Sequence, residues 1–436
     1  MPAITQFPEQ PKAVEDLIEK ERRDRANLME LEWAYYYGEH RRQLKVREGQ
    51  PDDNVIINVC GKLIDQAVNM LFGDGVTFQL DENDTTPQEE ALDDILQANR
   101  RKMLFHDVAL NGHVTGHPAI KLVPQEGAPT RIINLNPSIL SVFWDVGDLE
   151  KVLGYVLSWN ADARQDIVLD GDSWLIRDYE KDRRNQWALI DENRWEWPWA
   201  PVLDWKNRPA PNRYYGRSDL AHADLNDRIN FVASNTNRII KYHAHPKTIG
   251  LGMESTDVEP TSVDGLWTIS NEAASVFNLE MMGDLKSSMA FLDMLRAEFY
   301  SEGGGVDLAS MQDKIGQITN FGLRVLYKDA LSKLELRRLL YGEALAEMAR
   351  RLLAIEGMGE DNKPVVHWPD PLPENTVETV EALTQETALG VVSKQTVAAD
   401  LGRDWEVEQA RMREEGEADN DLGTALLRAF EQGGGA

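Results

Sequence analysis

Residues 218–243 read SDLAHADLNDRINFVASNTNRIIKYH. Ser218 and Asp219 are both good helix N-caps. Leu225, Ile229, Val232 and Ile239 follow on one stripe at helical spacing. Much of the rest is asparagine: Asn226, Asn230, Asn235 and Asn237. The pattern predicts one helix starting at Ser218 or Asp219, about 39 Å long at 1.5 Å per residue. A mostly polar helix with a narrow apolar stripe packs weakly inside its own chain. Leu225, Ile229, Val232 and Ile239 are therefore expected to pack against copies of the same helix.

The sequence on either side frames that helix. Residues 244–284 form an irregular insert with short strand-like pieces (KTIGLGM, GLWTI, SVFNLEM), and a second helix is expected near 285–300. Gly303-Gly304-Gly305 then reads as a flexible hinge. It follows a helix rather than a strand and no Lys-Ser/Thr pair comes after it, so it does not fit a nucleotide cradle. A long helix is expected from about 322 to 356, locally basic through Arg324, Lys328, Lys333, Arg337, Arg338, Arg350 and Arg351. Those cations are expected to pair with acidic neighbours across subunits. Residues 369–436 hold 15 acidic and 5 basic residues, a net of −10, and read as short helices with a Gly-rich end.

Towards the N-terminus, residues 1–50 read as helical, and NVCGKLIDQAVNMLFG reads as a buried helix, ended near Gly73 and Gly75. After a helix around 88–111, AIKLV, TRIINL, ILSVFW, VLGYVLSW, SWLIRDY and NQWALI read as short strands. Trp187, Trp195, Trp197, Trp199 and Trp205 crowd the end of this region and read as packed core or a turn cluster. A base-stacking platform would interleave more Lys and Arg than the nearby Arg194 and Lys206.

Composition narrows the function classes. The 436 residues include one cysteine, Cys60, so no intramolecular disulfide or cysteine-rich zinc module is expected, which fits a reducing compartment. Lys plus Arg number 46 against 74 Asp plus Glu, a net charge of −28. So acidic a surface argues against general nucleic-acid binding, since DNA is itself densely anionic. No secretory signal is expected from MPAITQFPEQPK, and no membrane span, for want of about 18 consecutive apolar residues. There is no GxxxxGK[ST], HExxH or GxSxG motif. His113 and His117 lie among Gly112, Gly116 and Pro118, unlike a zinc-binding helical face. Asp166, Asp170 and Asp172 place Val168 where a calcium loop needs a ligand. No catalytic residue, metal site or cofactor is expected.

The order of segments carries a resemblance. Tyr35-Tyr36-Tyr37-Gly38 precedes Asn58 and Leu63-Ile64-Asp65. Pro201-Val202-Leu203-Asp204-Trp205-Lys206-Asn207 leads into Gly216-Arg217-Ser218-Asp219-Leu220. Ala244-His245-Pro246-Lys247 follows the helix. Gly305-Val306-Asp307, Asp313-Lys314 and Phe321-Gly322-Leu323 precede the long helix, and Trp368-Pro369-Asp370-Pro371 and Gly390-Val391-Val392-Ser393 come last. In this order they resemble the portal proteins of tailed bacteriophages. Phe321-Gly322 departs from the family's usual Ser-Gly pair.

The resemblance implies an α+β, mainly helical portal-type fold. Its parts would be an α/β wing (1–217), a first stem helix (218–243), a small clip (244–284) and a second stem helix (285–302). A tunnel loop and long wing helix (303–368) and a helical crown (369–436) would complete it. It implies a homo-oligomeric ring, usually of twelve subunits, at a capsid vertex of the virion, assembled in the host cytoplasm. Double-stranded DNA would pass without sequence specificity. The clip would meet the large terminase subunit and later head-tail adaptor proteins, and major capsid protein would grip the wing. Arg238, Lys241 and Lys314 are candidates to face the DNA, with Asp307, Ser310, Gln312 and Asp313 in the tunnel loop. The alternatives are another virion connector or adaptor, or a metal-dependent DNA-processing enzyme.

Overall fold

The long N-terminal helix α1 (Pro11–Tyr37) starts with proline in its first turn and stops at Gly38, whose left-handed φ of 80° lets its N–H close the last turn. In this computed structural model the described residues are 3–46, 48, 52–73, 75–80, 86–244, 247–251, 275–279, 285–307, 319–359, 363–372, 376–403 and 405–413. They divide into two units, Met1–Asp313 with Leu326–Pro371, and Lys314–Val325 with Leu372–Ala436.

The first unit has its core around α2 (Val59–Phe72). Asn58 caps this helix by accepting from the Gly61 N–H. Helices α3 (Pro87–Ala98) and α4 (Arg101–Thr115) follow, α3 opened by a Thr86–Glu89 capping box. Ile64, Leu71, Leu92, Leu96, Val108 and Leu352 are almost wholly buried together.

A six-stranded sheet has the order β1-β5-β6-β7-β8-β9. Its strands are β1 (Ala3–Ile4), β5 (Leu140–Asp145), β6 (Asp148–Ser158), β7 (Ala163–Asp170), β8 (Ser173–Lys181) and β9 (Trp187–Trp195). The β1–β5 pair is parallel and the others are antiparallel. Phe7, Val14 and Ile18 seat the start of the chain on Phe143, Val156 and Val168 of this sheet. The strand β7 was not expected from the sequence. Its buried positions include Arg164, Gln165 and Asp166, which obscure a strand's apolar pattern. A smaller sheet is ordered β10-β3-β4, from β3 (Ala119–Gln125), β4 (Ala128–Asn134) and β10 (Val202–Asp204), and β2 (Thr77–Gln79) pairs with β13 (Val365–His367).

Helix α5 (Asp224–Ala244) packs beside α6 (Leu285–Gly303). Between them β11 (Lys247–Leu251) pairs antiparallel with β12 (Ser275–Leu279). The helix–insert–helix order expected from sequence is present. The start of the first helix is not where it was expected: α5 begins at Asp224, and Ser218 and Asp219 serve elsewhere. The Gly-rich hinge reading also gives way. Cβ atoms on Gly303 and Gly305 would lie 2.4 and 2.5 Å from Leu63 side-chain atoms, so these glycines allow close packing on α2.

The helix expected over 322–356 is two, α7 (Asn320–Leu326) and α8 (Lys328–Ile355), separated at Tyr327. In the second unit α9 (Thr376–Ala388) packs with α10 (Lys394–Asp400), which Ser393 caps by accepting from the Thr396 N–H. No helix among the described residues is long and apolar enough to cross a membrane.

Candidate functional site

The segment 200–220 ties the sheets to the end of α4 and delivers the chain to α5. Its backbone is stitched to that end by Trp205 N–H to Pro118 O and Asn207 N–H to Gly116 O. Gly116 closes α4 with φ 84°, and a Cβ there would stand 2.6 Å from Ser218 N. A Cβ on Gly216 would stand 2.3 Å from Gly116 O. Two strands of backbone cross here at a distance only glycine permits. Two residues on, the Ser218 hydroxyl donates to Val114 O at 2.6 Å and accepts from Leu220 N–H.

Two buried polar clusters fix this crossing. In the first, Asp204 accepts from the Tyr155 and Tyr214 hydroxyls at 2.9 and 2.7 Å and meets His117 Nε2 at 2.7 Å. Burial alone would raise the Asp204 carboxyl, but the hydrogen bond from His117 and those from the tyrosines hold it below the usual range. In the second, Asp219 accepts from Arg337 at 2.6 Å, with Asn207 and Arg208 nitrogens at 3.5 Å. Against the upward push of burial, the Arg337 and Arg208 charges keep this carboxyl low. His113 donates through Nδ1 to Ala109 O. Burial, aided by the Arg337 charge, pushes its pKa down to about 4, so it is neutral near pH 7. His113 and His117 thus serve different clusters. No group of three metal-ligating side chains forms among the described residues.

Three of the four asparagines of α5 have a partner the sequence did not reveal: the extended segment 53–58 and the first residues of α2. Asn226 accepts from the Val59 and Cys60 N–H groups and donates to Ile57 O. Asn230 accepts from Ile57 N–H, Ser234 exchanges bonds with Val55, and Asn237 donates to Asp53 O. The register follows from geometry. Four helical residues advance about 6 Å and two extended residues about 6.6 Å. Helix steps from 226 to 230 to 234 therefore match backbone steps from 59 to 57 to 55, run in the opposite direction. The polar face is not weakly packed; it is a side-chain ladder for a strap of backbone.

The expected helix-packing residues divide differently from the prediction. Ile229 is fully buried within the chain, Leu225 and Val232 are half-buried against its core, and Ile239 is half-buried. Exposed apolar residues lie elsewhere: Phe231 (39% exposed) on α5, and Met289 (47%), Phe291 (48%) and Met294 (55%) on α6.

Four of the basic residues expected to pair across subunits find partners inside the chain. Arg350 and Arg351 bind Glu347, Arg337 binds Asp219, and Arg338 donates to Pro369 O. Arg238 and Lys241 both face Asp53, and Asp307 is held by Arg296 at 2.8 Å. Ser310, Gln312, Asp313 and Lys314 lie outside the described residues. Four of the five tryptophans are core, as expected: Trp195, Trp199 and Trp205 are buried and Trp197 stacks on Trp199, whereas Trp187 is half-buried beneath the Arg164 and Lys181 cations.

Comparison with known proteins adds the following. The family model described as "Phage portal protein, SPP1 Gp6-like" matches residues 15–168 and 221–422. Many solved structures are similar, among them the two that follow. "Neck of empty GTA particle computed with C6 symmetry" superposes with a TM-score of 0.50 at 15% identity, covering 79% of this chain and 90% of that one. "Virion of native gene transfer agent (GTA) particle" gives 0.48 at 16%, covering 79% and 89%. At these identities the likeness speaks to fold alone. No curated protein matches.

Proposed function

The chain belongs to the SPP1 Gp6-like phage portal protein family and is a portal connector, and from that membership we propose how its parts serve the role. Copies of the chain form a ring, of twelve subunits, at a capsid vertex, and double-stranded DNA passes through it during packaging and ejection. The family is structural rather than catalytic.

In this reading α5 and α6 are the stem, the insert carrying β11 and β12 is the clip, and the region up to 217 with α8 is the wing. The crown begins at about 369. The clip meets the terminase motor and later the head-tail adaptors, and major capsid protein grips the wing. The observation that carries the reading is the family match on both sides of the passage into α5. The apolar side chains exposed on α5 and α6 support it, because a paired helix face that stays open in one chain fits a neighbouring copy.

Light scattering on the size-exclusion peak, with negative-stain images of the same fraction, tests it. The expected result is a ring with a central hole and a mass near twelve times the 49.3 kDa of one chain. A monomer at both low and high salt would overturn it.

A further inference from the structure

Asp53 stands between the two α5 cations that sequence suggested for DNA contact. One carboxylate oxygen accepts from Lys241 Nζ at 2.7 Å, and the other lies 3.6 Å from Arg238 Nε. Both cations reach solvent, with side chains 51% and 32% exposed, while the carboxylate is 23% exposed. The arrangement is that of a phosphate: a single anionic group with two oxygens, each turned to a different cation.

The position of Asp53 is set by more than this pairing. Its carbonyl accepts from Asn237, the last rung of the ladder. Next to it Asn54 exchanges two bonds with the backbone of Leu44 and donates its backbone N–H and its side-chain amide to the Asp52 carboxylate. Asp52 in turn meets Arg42 at 3.1 Å, so the carboxylate just before the strap covers a third basic residue. Part-exposed ion pairs contribute little to folding stability. An acid held so firmly against two solvent-facing cations therefore acts on what those cations can bind.

We propose that Asp53 is a built-in substitute for phosphate, which neutralises Arg238 and Lys241 and so keeps this face of α5 from gripping duplex DNA. The inference rests on the reading that DNA passes through the assembled connector. Each free cation that neutralises a phosphate adds counterion release to binding, and a surface with many such contacts holds DNA tightly. A conduit works better with its cations already occupied.

The test measures binding of a short fluorescein-labelled duplex to the full-length protein by anisotropy across salt. Asp53→Asn keeps the side-chain shape and the backbone acceptor and removes the charge. The native protein should bind weakly with a shallow salt dependence. Asp53→Asn should bind more tightly and steepen the log–log slope by about two, an extra ~12-fold loss between about 50 and 200 mM salt. Asp53→Glu should behave as native. Adding Arg238→Gln and Lys241→Gln to Asp53→Asn should restore native behaviour. An unchanged Asp53→Asn, or a gain that survives removal of both cations, overturns the proposal. Negative-stain imaging of each variant keeps the two readings separate: absence of rings in the native protein counts against the connector assembly, whereas the duplex titration reports on Asp53.

Discussion

Glu32 sits on α1, 6% exposed, with one carboxylate oxygen lacking a partner. Burial pushes its pKa up to about 7, and contact with the Ser218 hydroxyl pulls it back only in part. The sign of the consequence is fixed. The folded chain holds this proton more tightly than the unfolded chain, whose carboxyl titrates near 4.5. Stability is therefore greatest at low pH for this group and falls as pH rises from about 4.5 to about 7. Glu32→Gln removes the titration. Its stability advantage over the native chain should grow by about 2 kcal/mol between pH 5.5 and pH 8, read from urea midpoints at both values. An advantage that does not change with pH would show that Glu32 is solvated. Neither Glu32 nor Arg337 could be singled out from sequence. Their partners, Ser218 and Asp219, lie more than a hundred positions away, and a single chain gives no sign of such pairs. Ser218 and Asp219 themselves were noticed, as helix caps. The residue types suit a cap equally well, and only the crossing at Gly116 and Gly216 decides otherwise.

The ladder that α5 makes with the 53–58 strap and the start of α2 sets the energetics of the next scale. Asn226→Ala would leave the Val59 and Cys60 N–H groups and the Ile57 carbonyl without their partner, in a place where Asn226 is wholly buried. Leaving buried backbone groups unpaired costs about 1–3 kcal/mol each when water cannot replace the bond. With some relaxation, the urea midpoint should report a loss of roughly 2–4 kcal/mol. Asn235→Ala, on the half-buried side of the same helix, should stay within about 0.5 kcal/mol. Equal losses in both variants would mean that the ladder adds nothing beyond helix propensity. The sequence made the helices and most strands legible because their periods are local. It showed the asparagines too, but their backbone partners sit some 170 residues earlier, so the same pattern read as a face without partners. β7 was missed for the related reason that buried Arg164 and Asp166 pair with each other at 3.1 Å and so need no solvent.

For the whole molecule, the question is which apolar surface belongs to the chain and which to its neighbours. Helical periodicity shows that α5 has an apolar stripe, and it placed Ile229 on it, but periodicity is blind to whether the covering surface comes from the same chain. The structure separates the two. Ile229 is closed within the subunit, whereas Phe291 and Met294 are half-exposed on α6, a helix whose outward positions also include Met289 and Ala290. Burying a large apolar side chain fully is worth about 1.5–3 kcal/mol. Covering the exposed half of two such residues at every subunit contact then contributes roughly 2 kcal/mol per contact. A ring closes only if all its contacts hold, so a small loss at each is multiplied around the circle. Phe291→Asp combined with Met294→Asp should leave the monomer's urea midpoint nearly unchanged and remove rings from the size-exclusion profile. Ile229→Asp should instead buries a charge in the core and abolish folding before assembly is reached. Rings persisting in the α6 double variant would move the subunit contact away from this face.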